Sequence, residues 1–213
     1  MKIYILVDDP ESWIIEWARR IKQSLSKGGH YISLVHHQSE IDACDIAFYL
    51  GCTKIVSRQV LDKSKSSIVV HPSNLPKGRG FSPLAWQVLE GNHEITVCLF
   101  EATVGVDEGG IYLKSSFNLS GLELNDEIKQ KQGQTILDLC IEYVKESGHI
   151  KKKAQLGEPT YYNRRSKDSS ELDVHKTISE QFNLLRIVDN ERYPAFFYFK
   201  NKKYILKIYD DDG

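Results

Sequence analysis

Cysteine is scarce in this chain: four in 213 residues, Cys44, Cys52, Cys98 and Cys140, with no pair spaced C-x-x-C. That argues against a disulfide framework and against a paired-cysteine zinc site. The thiols read as free and mostly buried, as in a cytoplasmic protein. The adjacent His36 and His37 lack further ligands at metal spacing and read as lining a loop. An excess of one charge is also missing. Lys and Arg total 28, Asp and Glu 29, and the formal net charge is -1. Such a balance leaves no footprint for bulk nucleic-acid or membrane binding. No apolar run approaches the length that spans a bilayer. No cationic start leads into an apolar stretch and a small-residue cleavage site, so export is not expected. The tripeptide Asn118-Leu119-Ser120 then carries no glycosylation reading. No repeat is visible. What remains is 41% hydrophobic and 27% charged residues, a globular composition with room for one ordinary domain and a small appendage.

The β-rich run MKIYILV (1–7) predicts a buried strand that Asp8-Asp9-Pro10 ends. Ser12 stands where it can cap a helix with Ile14, Trp17, Ala18, Ile21 and Leu25 on one face, closing at Gly28-Gly29. Strands are predicted at 30–37, 46–50 and 66–71, with a short helix over 57–64. SPLAWQVLEG (82–91) places Pro83 in a first helical turn and Gly91 at its end. Strands at 94–103 and 110–117 flank the short turn GVDEG, which makes them an antiparallel excursion. A long amphipathic helix covers 125–148. Strands alternating with helices predict an α/β fold: a mainly parallel sheet covered on both faces. The polar, basic 149–170 reads as an ordered crossing segment or linker. A helix near 173–188 and a hairpin over 195–209 around Asn201 complete the chain. The expected division is a body over 1–150 and a small helix-and-hairpin unit over 151–213. The terminal Asp210-Asp211-Asp212 reads as a solvated end.

The stretch VVHPSNLPKGRG (69–80) ends a buried strand on a histidine and continues as a stiff basic loop. In open parallel sheets, ligands bind at the carboxyl ends of strands. His71 is predicted at such an end, and Asp107, after the next strand-like run, at the same edge. Together they would make a general-base pair, the carboxylate fixing the ring's tautomer. Each also has a plain structural reading, a strand-end histidine and a turn-forming aspartate, and spacing alone does not join them. Pro72 and Pro76 stiffen the loop, Gly78 and Gly80 permit close backbone approach, and Lys77 and Arg79 suit phosphate. It is neither a P-loop nor a dinucleotide fingerprint.

HPSNLPKGRGFSPLAWQVLEG (71–91) resembles the signature loop and helix of the folate-dependent formyltransferases. VDEGGIYLK (106–114), YYNRRSKDSSELD (161–173) and LLRIVDNERYPAFFYFKNKKYILKI (184–208) continue the likeness, most closely to the nucleotide-sugar enzymes of that family. The resemblance covers about 45–208 and implies a Rossmann-like formyltransferase fold. It implies transfer of a formyl group from 10-formyltetrahydrofolate to a primary amine without a metal. Its catalytic histidine and aspartate match His71 and Asp107. Its asparagine, two residues before the histidine, is replaced by Val69, and the nearest substitute is Asn74. The resemblance places the folate along the segment Glu101–Asp107, including Glu101, Thr103 and Val104, and beside Tyr49 and Cys52. A donor at the developing oxyanion is worth about 3–4 kcal/mol of barrier.

For the acceptor, the resemblance implies a nucleotide-linked deoxyaminosugar, such as a UDP- or dTDP-4-amino-4,6-dideoxyhexose of bacterial surface-glycan synthesis. Lys77, Arg79, Arg164 and Arg165 are candidates to meet its diphosphate, Gly78 and Gly80 to let the backbone approach it, and Tyr161 or Tyr162 to stack on its base or sugar. The charge balance argues against tRNA. A glycinamide-ribonucleotide enzyme is the alternative, and it should keep its chemistry if the chain ended at 150. A silent folate or nucleotide-sugar binding module and a formate-releasing hydrolase are the others. The row Phe196, Phe197, Tyr198 and Phe199 is more aromatic surface than one hairpin buries, and predicts a homodimer through the C-terminal region.

Overall fold

The computed structural model describes residues 1–211; Asp212, part of the expected acidic end, lies outside them. The first half alternates strand and helix: β1 (Lys2–Leu6), α1 (Ile14–Lys27), β2 (Tyr31–Val35), β3 (Cys44–Tyr49), α2 (Arg58–Leu61) and β4 (Ser64–His71). Next come a two-residue strand β5 (Arg79–Gly80), α3 (Pro83–Leu89), β6 (Glu94–Glu101), β7 (Ile111–Asn118) and α4 (Asn125–Lys145). The last part holds β8 (Tyr161–Tyr162), α5 (Phe182–Ile187), β9 (Ala195–Phe199) and β10 (Lys202–Leu206).

Six strands form the main sheet in the order β2-β1-β3-β4-β6-β7. The first four are parallel; β6 is antiparallel to both β4 and β7. Strand alternation sends Ile3, Ile5, Ile68, Val70, Val97 and Leu99 to one face, where α1 and α4 cover them. Gly133 lets the two helices meet: a β-carbon there would overlap the Trp17 indole. The opposite residues, Tyr4, Leu6, Ala47 and Tyr49, pack on Val60 and Leu61 of α2. Cys98 and Phe100 pack under Leu75 of the loop after β4. The mainly parallel α/β sheet read from the sequence is therefore present, with its long helices on one face.

Two local expectations are corrected. Ser12 does not cap α1 with its side chain; the helix begins after Trp13, and only the Ser12 carbonyl takes part, accepting from the Ile15 N–H at 3.0 Å. The helix expected over 173–188 is reduced to a 3-10 turn, Ser179–Gln181, and α5. Before it, the Gln181 carboxamide accepts from the Asp173 N–H and donates to the Asp173, Lys176 and Thr177 carbonyls. That side chain satisfies the backbone of 173–177 in a loop conformation, which competes with a helix there.

Candidate active site

His71 is the last residue of β4 and is buried, 7% exposed, edge-on to Phe100 with ring centroids 6.4 Å apart. Its Nε2 lies 2.8 Å from the Gly78 carbonyl oxygen, and its Nδ1 lies 3.7 Å from Asp107 Oδ2. Both ring nitrogens thus face acceptors. A neutral imidazole has one N–H to donate, whereas the imidazolium form has one for each.

Asp107 reaches the histidine by a route the sequence does not announce. Because β6 runs antiparallel to β4, it passes His71 at Cys98 and ends at Glu101 level with Ile68, away from the edge where His71 sits. The loop 102–110 then folds back up to the ring. Asp107 adopts a positive φ of 55°, and its Oδ2 accepts from the Gly80 N–H at 2.8 Å. The carboxylate is therefore gripped by the loop that begins at His71.

The crossing segment fixes both loops. Ile111 and Lys153 exchange two backbone hydrogen bonds at 2.8 Å. Gln155 Nε2 donates to the carbonyls of Asp107 and Gly109 at 2.7 and 2.9 Å, while its Oε1 accepts from Arg79. Thr160 Oγ1 accepts from the Gly78 N–H at 2.8 Å, and β8 pairs with β5. The two glycines serve this contact. A β-carbon at Gly80 would lie 2.5 Å from the Tyr162 carbonyl oxygen, and one at Gly78 would lie 2.8 Å from the Tyr162 ring. Close backbone approach was expected here; the partner is the chain's own β8.

A cavity of about 570 Å³ opens at the carboxyl ends of the strands, with His71 and Asp107 on its wall. Tyr49, Cys52, Val69, Phe100 and the segment Ala102–Val106 are part of its lining. Burial pushes the Cys52 thiol up to about 12, so it is no nucleophile near neutral pH. Arg164, Arg165 and Lys54 also line it. Arg164 lies over the Phe81 ring at 4.3 Å and donates to the Thr53 carbonyl at 2.8 Å. Arg165 donates from one terminal nitrogen to the Ser169 carbonyl, while its Nε is buried with no partner among the described residues. Burial pulls its guanidinium below the usual arginine range. Asn125, Lys129, Gln132 and Ile136 enter from α4, faced by Asp189 and Tyr193.

Of the residues singled out in the sequence, His71, Asp107, Tyr49, Cys52, Val69, Thr103, Val104, Gly80, Arg164 and Arg165 border this cavity. The others lie elsewhere. Asn74 is exposed and its Oδ1 accepts from Lys114 at 2.8 Å. Lys77 is exposed beyond the cavity wall, and Gly78 contributes only its carbonyl to His71. Arg79 is buried against Gln155, Glu108 and Tyr161. Tyr162 stacks on Trp86 and donates to Glu90 at 2.6 Å; burial and then that bond raise its hydroxyl. Glu101 pairs with Lys152. Sequence reading missed Gln155, whose partners lie 46 to 76 residues away and leave no local pattern. It also missed Asn125, Lys129 and Gln132, although their i, i+4, i+7 spacing puts three polar groups on one helical stripe.

No helix is long and apolar enough to cross a membrane, and the described residues hold no cluster of metal-ligating side chains. The arrangement can hold and move a proton beside an open cavity lined by apolar and cationic groups.

The chain is 27% identical over 135 residues to a methionyl-tRNA formyltransferase of Rickettsia massiliae, covering 62% of this chain and 45% of that protein. It thus spans about half the length of the curated relatives it matches. Among solved structures, a methionyl-tRNA formyltransferase from Clostridium thermocellum superposes with a TM-score of 0.85 at 21% identity, covering 100% of this chain and 95% of that one. A 4-N formyltransferase from Francisella tularensis gives 0.74 at 16%, covering 97% and 96%. HypX from Aquifex aeolicus, crystallised with tetrahydrofolic acid, gives 0.78 at 18%, covering 98% of this chain and 37% of that one. At these identities the structural likeness is one of fold. Residues 19–136, more than half of the chain, match the family described as formyl transferase, and the chain belongs to that family.

Proposed function

We propose that the chain transfers a formyl group from 10-formyltetrahydrofolate to the primary amine of a nucleotide-linked deoxyaminosugar. The observation that carries this reading is the His71–Asp107 pair, set on a cavity lined by both apolar residues and cations. Tyr49, Val69, Phe100 and the segment Ala102–Val106 suit a flat heterocycle. Lys54, Arg164 and the incompletely paired Arg165 suit a diphosphate.

When bound, the folate supplies the formyl carbon. His71 would take the proton that the attacking amine releases, Asp107 would stabilise the imidazolium, and the ring would return the proton to the folate nitrogen whose bond to the formyl carbon breaks as tetrahydrofolate leaves. No carboxamide stands beside the ring to meet developing negative charge, since Asn74 stands outside and Val69 is apolar. In this reading the acceptor is met by Arg164, Arg165 and Lys54, which line the cavity, and not by Lys77, Arg79, Tyr161 and Tyr162, which do not. The body over 1–150 and the part over 151–213 act as one catalytic unit in this reading, and the hairpin β9–β10 joins two copies.

Incubation with 10-formyltetrahydrofolate and a panel of amines tests the reading, with mass spectrometry to find one added formyl group. UDP- and dTDP-linked aminosugars should gain it. Gain only on glycinamide ribonucleotide or on methionyl-tRNA would overturn the sugar assignment; gain on none would overturn transfer.

A further inference from the structure

Three glutamine side chains bear on the cavity and its loops, Gln87 and Gln132 buried and Gln155 half-buried, and two are satisfied by the fold. Gln87 donates to the Pro72 and Pro83 carbonyls. Gln155 makes the loop-clamping bonds described above. Gln132 is different. It is 7% exposed, it lines the cavity, and no group among the described residues hydrogen-bonds its carboxamide. Its polar atoms are not sealed off but meet the cavity, so its hydrogen bonds fall to something that fills that space.

Its surroundings say what that something is. Asn125, Lys129 and Gln132 lie at i, i+4 and i+7 of α4, so they form one stripe, and all three line the cavity. Ile136 continues the stripe as an apolar floor. Asp189 faces it and accepts from Lys129 Nζ at 2.9 Å. Hydrogen bonds from the Arg192 backbone and Lys129 outweigh burial, which pulls the other way, and hold the Asp189 carboxyl below its usual range, so it stays an acceptor. Two carboxamides, each both donor and acceptor, next to an ion pair that is internally balanced, present alternating polarity without net charge. That chemistry matches vicinal hydroxyls on a saturated ring, each of which must donate one bond and accept another. It does not match a phosphate, which takes donors only.

We infer that the α4 stripe Asn125–Lys129–Gln132, with Asp189, is a subsite for the hydroxylated ring of the acceptor, separate from the cations that face its phosphates. This rests on the aminosugar reading proposed above.

The test is titration calorimetry with three probes: the formylated panel's best aminosugar nucleotide, its nucleoside diphosphate alone, and tetrahydrofolate. Wild type is compared with Gln132→Leu, a change of similar volume that removes a polar group the fold itself does not use. Thermal stability should hold or rise in the variant. Affinity for the aminosugar nucleotide should fall about tenfold or more, the loss of at least one well-formed hydrogen bond. Affinity for the nucleoside diphosphate and for tetrahydrofolate should not move. Equal affinity of both proteins for the aminosugar nucleotide overturns the subsite while leaving formyl transfer to sugars standing. A parallel loss with the nucleoside diphosphate alone overturns it too, since the stripe would then serve the phosphates. Wild type that binds no aminosugar nucleotide overturns the functional reading, and the subsite with it.

Discussion

The Gln155 carboxamide oxygen lies 2.8 Å from Arg79 Nη2 and 3.3 Å from Arg79 Nε. The same carboxamide holds the Asp107 and Gly109 carbonyls through its nitrogen. One side chain from the crossing segment therefore ties the loop that starts at His71 to the loop that carries Asp107. Gln155→Leu should leave the sheet intact and loosen the 3.7 Å approach of Asp107 to His71. We expect kcat to fall by about 10²-fold with a smaller change in KM, because misplacement of a catalytic group is felt in the chemical step. Steady-state kinetics with folate and acceptor varied in turn decides it; an unchanged kcat would show that the clamp does not set the pair's geometry.

The same contact changes what truncation can report. A chain ended at 150 would lose Gln155, Thr160 and β8, and with them the supports of both loops. Formyl transfer to every amine should disappear, glycinamide ribonucleotide included, so truncation does not separate acceptor classes as the sequence alone suggested.

Val69 lies two residues before His71 on the same strand, so both side chains leave the same face, and both line the cavity. Val69→Asn places a carboxamide donor beside the histidine. It should raise kcat, by up to about 10²-fold if it reaches the developing oxyanion, and lower stability by about 1 kcal/mol for an asparagine in a strand. Turnover that drops in a folded variant would mean that the apolar wall is itself required.

How much of this was legible before folding depends on how local the cause is. The strands β1 to β4 and the helices between them follow from periodicity and turn residues, and the strand end at His71 follows with them. The meeting of Asp107 with His71 does not, because it needs β6 to run antiparallel and the 102–110 loop to fold back. Arg79 and Lys77 looked alike as loop cations. Only the fold shows one buried against Gln155 and the other turned to solvent. Gly78 and Gly80 signalled close approach correctly, yet the approaching group is Tyr162.

Glu123 gives the fold a pH dependence of known sign. Its buried carboxylate accepts from the Ser120 and Gly121 N–H groups and from Lys131. Burial works to raise it, but Lys131 and the Ser120 N–H prevail and hold it well below its ordinary value of 4.5. A depressed carboxyl contributes stability above its unfolded value and loses it as pH falls toward the folded one. Unfolding free energy should therefore be level near neutrality and decline below pH 4.5. Glu123→Gln should be less stable at pH 7, by about 1–3 kcal/mol, and flatter against pH. Denaturant melts between pH 7 and 3 measure both; parallel curves for the two proteins would contradict the assignment.

The hairpin buries Phe196 and leaves Phe199 54% and Ile205 64% exposed. If it joins two copies, wild type sediments as a dimer and the double variant Phe199→Ser, Ile205→Ser as a monomer with little change in melting temperature. Wild type that sediments as a monomer across micromolar concentrations would end the dimer proposal.

The measurement closest to the central claim is the stoichiometry of formyl transfer in wild type and His71→Asn. Tetrahydrofolate released and formylated aminosugar formed are followed in the same reaction. Wild type should yield the two in equal amounts. The variant should lose both by about 10²–10⁴-fold, the usual contribution of a positioned acid–base, while still binding tetrahydrofolate. Tetrahydrofolate released without formylated acceptor, or a variant as fast as wild type, would contradict the account.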